Sequence, residues 1–332
     1  MTRLTRRTLL AGTTAATTAV AAGALPHTAL AAQPAAGKQA PGFYRYKVGS
    51  FEVTVVTDGV NRMKLPDDMV ANATRDEVNA ALLAAHMEKD VFVGPYNPIV
   101  VNTGAKLVLI DTGTGEAAYK SSNGMNGQLL ANLAAAGLDP AAFDAVIISH
   151  FHGDHVNGLL KADGSLAFPN AEVLVPAGEH TYWMDDGEMS RAPKGRIEGL
   201  FKNNRRVFSG EVAKRLRTYE WDKEVIGGIT AISTPGHSVA HTSHVIASGD
   251  AKLFVQADVT HVPFLFARNP GWHAFYDQIP AQAEATRRKV YDMLAAEKMP
   301  VQGFHYPFPA HAYVEKRGNG YQEIAVPWSP TI

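Results

Sequence analysis

The stretch His150-Phe-His-Gly-Asp-His155 places three imidazoles and one carboxylate within six positions, directly after Ala145-Val-Ile-Ile-Ser149. An apolar strand that ends in such a loop delivers its side chains to one point. His150 and His152 are two apart, so they point the same way off extended backbone. Gly153 offers a place for a sharp turn before Asp154 and His155. Imidazole and carboxylate donors with no thiol suit zinc and similar borderline ions. One ion could not easily use all four groups, because adjacent Asp154 and His155 would crowd it; two ions could share them. A lone histidine is usually an ordinary residue, whereas this density of ligand types at a strand end is a specific pattern.

A two-ion site needs more donors, and three candidates lie downstream. Thr234-Pro-Gly-His237 follows the alternating run Gly228–Ser233, Phe254-Val-Gln-Ala-Asp258 ends an apolar run in a carboxylate, and Pro300-Val-Gln-Gly-Phe-His305 ends another in an imidazole. Proline and glycine before His237 enforce a turn that exposes it. Each donor therefore repeats one architectural position, the end of a short β-like segment where a loop begins.

The elements that must hold these ends can be placed coarsely. Strands are expected over 44–48, 51–57, 99–102, 106–111, 145–149 and 171–175. A hairpin is expected at 242–247 and 252–256, around Ser248-Gly-Asp250. Helices are expected over 80–86, 127–136 (closed by Gly137), 178–184, 197–215 and 281–297. That pattern alone gives α/β or α+β. No linker is evident between Gly42 and Ile332, so residues 42–332 read as one catalytic domain, preceded by an Ala/Pro/Gln/Gly-rich flexible arm at 32–41.

Residues 1–31 hold no acid and three arginines, and Thr5-Arg-Arg-Thr-Leu-Leu10 looks like a twin-arginine signal. The stretch from Leu9 to Leu25 is too weakly apolar for a membrane span, and Ala29-Leu-Ala31 fits a cleavage site, with a retained N-terminal anchor as the alternative. The expectation is a periplasmic or secreted protein with no stable membrane insertion. Without the signal, 28 basic residues face 32 acidic ones, a formal charge of −4. That argues against a nucleic-acid partner, which would call for a basic patch. There is no cysteine, hence no disulfide and no thiolate ligand.

With Leu109-Ile-Asp111-Thr-Gly113, the His150–His155 cluster, His237, Asp258 and His305 in this order, the chain resembles the metallo-β-lactamase superfamily. Within it the chain is most similar to exported methyl parathion hydrolases and their esterase and lactonase relatives, through Ala40–Arg45, Val101–Asp111, Leu166–Ala171 and Tyr306–Pro309. The resemblance implies an αββα sandwich and two divalent ions per chain, with zinc the first choice. His150, His152 and His237 would hold one ion, Asp154, His155 and His305 the other, and Asp258 would bridge them. Asp258 and Asp154 would then be the carboxylates closest to the chemistry. Asp111 would orient a ligand from behind. Two departures stand out: Ala257 occupies the usual glycine before the bridging carboxylate, and Tyr313 stands where relatives often carry histidine.

The apolar segments Thr260–Phe266 and Gly271–Tyr276, with Tyr182-Trp183, offer aromatics for an apolar leaving group. Trp183, Phe264, Phe266 and Trp272 are the expected pocket residues, although core or dimer contacts would explain them equally well. No Arg or Lys lies between Asp258 and Leu265, which disfavours β-lactams. His241, His244, His261, His273 and His311 are not needed by a seven-ligand site; of these His241 is best placed to support it. The resulting expectation is a metal-dependent hydrolase acting on a small apolar ester or lactone: an organophosphate triester, aryl ester or lactone. An N-acyl-homoserine lactonase, a metal-binding protein without turnover and an iron-dependent dioxygenase are the alternatives, and the resemblance leaves a homodimer open.

Overall fold

Phe51-Glu-Val-Thr-Val-Val56 sends Val53 and Val55 to one side of its strand and Thr54 and Val56 to the other, and all four are buried. A strand buried on both faces belongs to an inner layer. The computed structural model describes residues 36, 37 and 39–332, and Pro41–Ile332 form one compact unit. The proposed export segment 1–31 and residues 32–35 and 38 of the arm lie outside the described residues. Among the described residues no helix is long and apolar enough to cross a membrane.

In chain order the strands are β1 (Phe43–Val48), β2 (Phe51–Val56), β3 (Gly59–Lys64), β4 (Val91–Tyr96), β5 (Ile99–Asn102), β6 (Leu107–Ile110), β7 (Ala145–Ile147) and β8 (Glu172–Pro176). They continue with β9 (Leu216–Tyr219), β10 (Glu224–Ile226), β11 (Ile229–Ser233), β12 (Thr242–Ser248), β13 (Ala251–Ala257), β14 (Val301–Gly303), β15 (His311–Arg317) and β16 (Gly320–Ala325). One seven-stranded sheet has the order β1-β2-β5-β6-β7-β8-β9 and the other runs from β10 to β16 in sequence order; β3 and β4 pair apart as a hairpin. Pairing is parallel from β6 to β9 and between β13 and β14, and antiparallel elsewhere.

Alternation along these strands builds three apolar layers. Val53, Val55, Val101 and Ile147 of the first sheet meet Ile229, Ile246 and Leu253 of the second. The opposite face of the first sheet, with Val56, Val146 and Val173, is covered by Leu129, Leu133, Trp183 and Phe201 from helices. Phe254 and Val301 of the second sheet pack under Val290, Tyr291 and Leu294 of the helix Pro280–Glu297. Helix, sheet, sheet, helix: the architecture is the αββα sandwich.

Local differences have local reasons. The helix expected from residue 80 begins at Arg75, because Thr74 and Glu77 form a capping box. The helix expected over 197–215 divides into Arg196–Val207 and Gly210–Arg215, with Gly210 at φ +55°. The β3–β4 hairpin was not expected, since the helix Arg75–Ala84 separates its strands and Pro95 interrupts the second. Ala257, the residue replacing glycine, has φ +48° where the β13–β14 register shifts. A left-handed L-residue costs about 1–2 kcal/mol there, which explains why glycine suits the position.

Candidate metal centre

The sheet edges set out the site. Asp111 follows β6, Ser149 and His150 follow β7, the turn to His237 follows β11, Asp258 follows β13, and His305 lies just beyond β14. The turn before His237 needs Gly236, whose φ is +128° and whose missing Cβ would lie 2.3 Å from the Ala283 nitrogen. Gly153, by contrast, opens the short helix Gly153–Val156 without a left-handed backbone, so the chain direction changes there by helix initiation rather than by a glycine turn.

All seven side chains singled out in the sequence converge. His150, His152 and His237 form one group of donor atoms, and Asp154, His155 and His305 another; within each group the atoms lie within 4.8 Å of one another. Asp258 reaches both groups. Its Oδ1 is 3.2 Å from His155 Nε2, while its Oδ2 is 3.1 Å from His305 Nε2 and 3.3 Å from His237 Nε2. Asp154 Oδ2 lies 3.5 Å from His305 Nε2 and 3.7 Å from His155 Nε2. Donors bound at 2.0–2.2 Å around a tetrahedral ion would sit about 3.3–3.6 Å apart, the same spacing.

The far side of each ring is held by the fold. Asp111 Oδ2 lies 2.8 Å from His155 Nδ1, and its oxygens also accept from Ser149 N at 2.8 Å and Ser149 Oγ at 2.7 Å. Asp277 Oδ1 lies 2.8 Å from His237 Nδ1 and is itself held by the buried Arg287, 3.3 Å away. The carbonyl of Pro95 faces His305 Nδ1 at 2.8 Å. His241 Nε2 accepts from the Asp258 amide at 3.0 Å and so supports that carboxylate through its backbone. These contacts turn the Nε2 atoms of His155, His237 and His305 toward the centre.

Several inward atoms lack partners of their own. His150 Nε2, His155 Nε2 and Asp258 Oδ1 are buried without a hydrogen bond, while His152 meets the cluster through Nδ1, 2.8 Å from His237 Nε2. Such atoms cost free energy unless something satisfies them, and cations satisfy nitrogen lone pairs and a carboxylate together. Burial, the largest influence, pushes the His150, His152 and His237 imidazoles well below their ordinary pKa, into the neutral form that binds metal. Burial alone would raise Asp258, but the imidazoles of His305, His155 and His261 outweigh it and hold the carboxylate well below its usual range. The donor set and its unpartnered atoms fit a pair of divalent ions.

Above the cluster lies a cavity of about 220 Å³. His152, Asp154, His237, Asp258, His261 and His305 contribute its polar lining, while Met63, Phe92, Leu200 and Phe275 supply apolar wall.

A family model described as the metallo-β-lactamase superfamily matches residues 91–297. The chain belongs to this superfamily. Among solved structures, AidC, a dizinc quorum-quenching lactonase in complex with a product, N-hexanoyl-L-homoserine, superposes with a TM-score of 0.80 at 24% identity, covering 87% of this chain and 98% of its own. That likeness shows the fold. AbOPH, a hydrolase in the β-lactamase superfamily, gives 0.80 at 29% identity over 88% and 100% of the two chains. A curated N-acyl homoserine lactonase from Bacillus sp. is 26% identical over 176 residues, which are 47% of this chain and 61% of that relative.

The expected pocket aromatics lie elsewhere. Trp183 is fully buried on the inner face of the helix Ala177–Met184, 4.7 Å from Phe201 between ring centres, and donates to Glu179 at 2.8 Å. Phe264 and Phe266 are buried against Leu65, Met69, Val78 and Leu82, and Trp272 packs on the same cluster. None of the four lines the metal cavity. Their hydrophobicity is used to support the site from behind rather than to receive substrate. Tyr313 is exposed on β15, away from the cavity. Trp183→Ala should therefore cost about 3–5 kcal/mol of stability, read as a lower urea midpoint, with proportional losses on aromatic and polar substrates alike. A loss confined to aryl substrates at unchanged stability would return Trp183 to the pocket.

Several contributors had no clear signal in the sequence. His261, set among apolar residues, brings Nε2 to 3.0 Å from Asp258 Oδ2 and stacks on His305 at 4.8 Å. Arg196 reaches the cavity from a distant helix and donates to the carbonyls of Phe275 and Tyr276 at 3.4 and 3.5 Å. Asp277 and Arg287 become meaningful only through His237. Because Asp111 acts on His155 through a hydrogen bond, Asp111→Asn should lower metal affinity about 10–100-fold, measured by competition with a chelator. An unchanged affinity would reduce Asp111 to a turn residue.

Proposed function

We propose that this chain is a two-metal hydrolase of neutral esters, acting on lactones, aryl esters or organophosphate triesters, with zinc as the resident metal. The observation that carries the reading is the set of buried, unpartnered donor atoms beneath a cavity with apolar walls. His150, His152 and His237 would hold one ion and Asp154, His155 and His305 the other, with Asp258 reaching both. Such a pair, when bound, lowers the pKa of water and polarises the group under attack. The protein's own groups do the rest. Met63, Phe92, Leu200 and Phe275 would take the apolar part of a substrate and exclude water around the reacting bond. Burial holds the Tyr276 hydroxyl well above its ordinary pKa, so it stays a hydrogen-bond donor beside the cluster.

An acyl-homoserine lactonase is the second reading, favoured by the lactonase names of the Bacillus relative and of AidC. A cavity of about 220 Å³ beside the cluster would take a compact ring, and a long acyl chain would extend from its open side; substrate preference separates the two readings. The test is metal analysis of protein purified without added metal, then kcat/KM on dihydrocoumarin, paraoxon and short- and long-chain acyl-homoserine lactones. Two ions per chain and highest efficiency on the compact esters are expected. Activity confined to long-chain acyl-homoserine lactones would establish the second reading, and inactivity on the whole panel with metal bound would sink both.

A further inference from the structure

We propose that Glu179 is the positioning residue that locks the two loops carrying His150, His152 and His237 into one triad, an inference that rests on the two-metal reading above. Glu179 is fully buried on the helix Ala177–Met184, yet among the described residues no cation pairs with it. Four donors converge on its carboxylate instead. Oε2 accepts from the Phe151 amide at 3.0 Å and from Trp183 Nε1 at 2.8 Å. Oε1 accepts from Ser238 Oγ at 2.6 Å and from the Ala240 amide at 2.8 Å.

The identity of those donors is what matters. Phe151 lies between His150 and His152, so its amide fixes the peptide plane that follows His150, within the segment joining the two ligands. Ser238 and Ala240 follow His237 and fix the turn that presents it. Phe151 itself is anchored by its ring, stacked on Phe208 at 4.1 Å. One carboxylate thus ties the β7 loop of the first sheet to the β11 loop of the second. His155 and His305, by contrast, are oriented separately by Asp111 and by the Pro95 carbonyl.

The chemistry also demands a carboxylate. Three of the four donors are N–H groups that cannot turn round; only the Ser238 hydroxyl can. A glutamine amide placed at either oxygen position would set its own N–H against at least one of them, leaving a buried donor unsatisfied. Glu179→Gln therefore keeps the size of the side chain and breaks the clamp.

The test uses the full chain and three variants, Glu179→Gln, Ser238→Ala and Trp183→Phe. Zinc affinity is read by competition with a chromophoric chelator, the cobalt-loaded forms by visible absorption, and stability by thermal unfolding of metal-free protein. Glu179→Gln should weaken one of the two ions about 10–100-fold, leave the other within about twofold, and change the absorption of one cobalt ion. Ser238→Ala should weaken the same ion less. Trp183→Phe removes the donor from Glu179's own helix, and should lower the unfolding temperature while moving neither affinity. Parental affinities in Glu179→Gln would overturn the proposal, as would both ions weakening together in step with stability. If Glu179→Gln yields no folded protein, Ser238→Ala decides, and unchanged affinities there overturn the clamp. A parent chain that binds no zinc would sink the two-metal reading itself, and the clamp with it.

Discussion

Asp258→Asn is expected to lower kcat/KM by at least about 10³-fold, roughly 4 kcal/mol of lost transition-state stabilisation. The geometry gives the reason. Asp258 is the carboxylate whose two oxygens face imidazoles of both groups, His155 on one side and His237 and His305 on the other. An asparagine offers one accepting oxygen and one NH2 group, so it can serve one ion while presenting donors to the other. The backbone keeps its hydrogen bond to His241, so the residue stays in place and only the charge and one acceptor are lost. Metal content after desalting should fall alongside activity, and the loss should exceed that of Asp111→Asn, which acts only through His155. Parental metal content and activity in Asp258→Asn would overturn the bridging role.

What could be seen in the sequence was local. The His150–His155 cluster sits on consecutive residues at a strand end, and strand periodicity announces itself within a few positions, so the ligand candidates, most of the first sheet and the central hairpin of the second could be located, whereas β9, β10, β15 and β16 were not expected. Asp258 and His305 were visible because each closes an apolar run. The walls of the cavity were not, because Met63, Phe92, Leu200 and Phe275 come from four separated segments that only the packed fold assembles. Hydrophobicity told that Phe264, Phe266 and Trp183 would be covered, but not on which side of the site they would stand. Asp58 shows the same limit: Thr57-Asp-Gly59 reads as a plain turn, yet the carboxylate is buried and accepts from Thr114, Gly127 and Leu129. Asp277, Arg287 and Glu179 carry no motif. Their importance lies in which ligand they hold, and that is a property of the tertiary structure.

Removing the metal is the second large perturbation, and it should act on stability as well as on turnover. Stripping with a chelator should bring hydrolysis down to background, and adding back zinc, cobalt or manganese should restore it. An ion present at a thousandfold over its Kd contributes about 4 kcal/mol to the folded state, so loss of two should lower the unfolding temperature by about 10 °C or more. The buried Nε2 of His150 would then be left without a partner. Proton competition gives a sign to the pH dependence. Burial lowers the His155 and His305 imidazoles, but Asp258 and neighbouring carboxylates more than offset it and hold both above their ordinary value in the metal-free protein. Zinc must displace those protons, so its affinity should begin to fall at a pH above about 6.5, the ordinary imidazole value, and fall further as acid is added. The gap in unfolding temperature between metal-loaded and stripped protein should narrow over the same range, because protonated imidazoles beside Asp258 partly take the place of the ions. A stripped protein that keeps its activity, or a gap that widens on acidification, would show that the seven side chains do not hold catalytic metal.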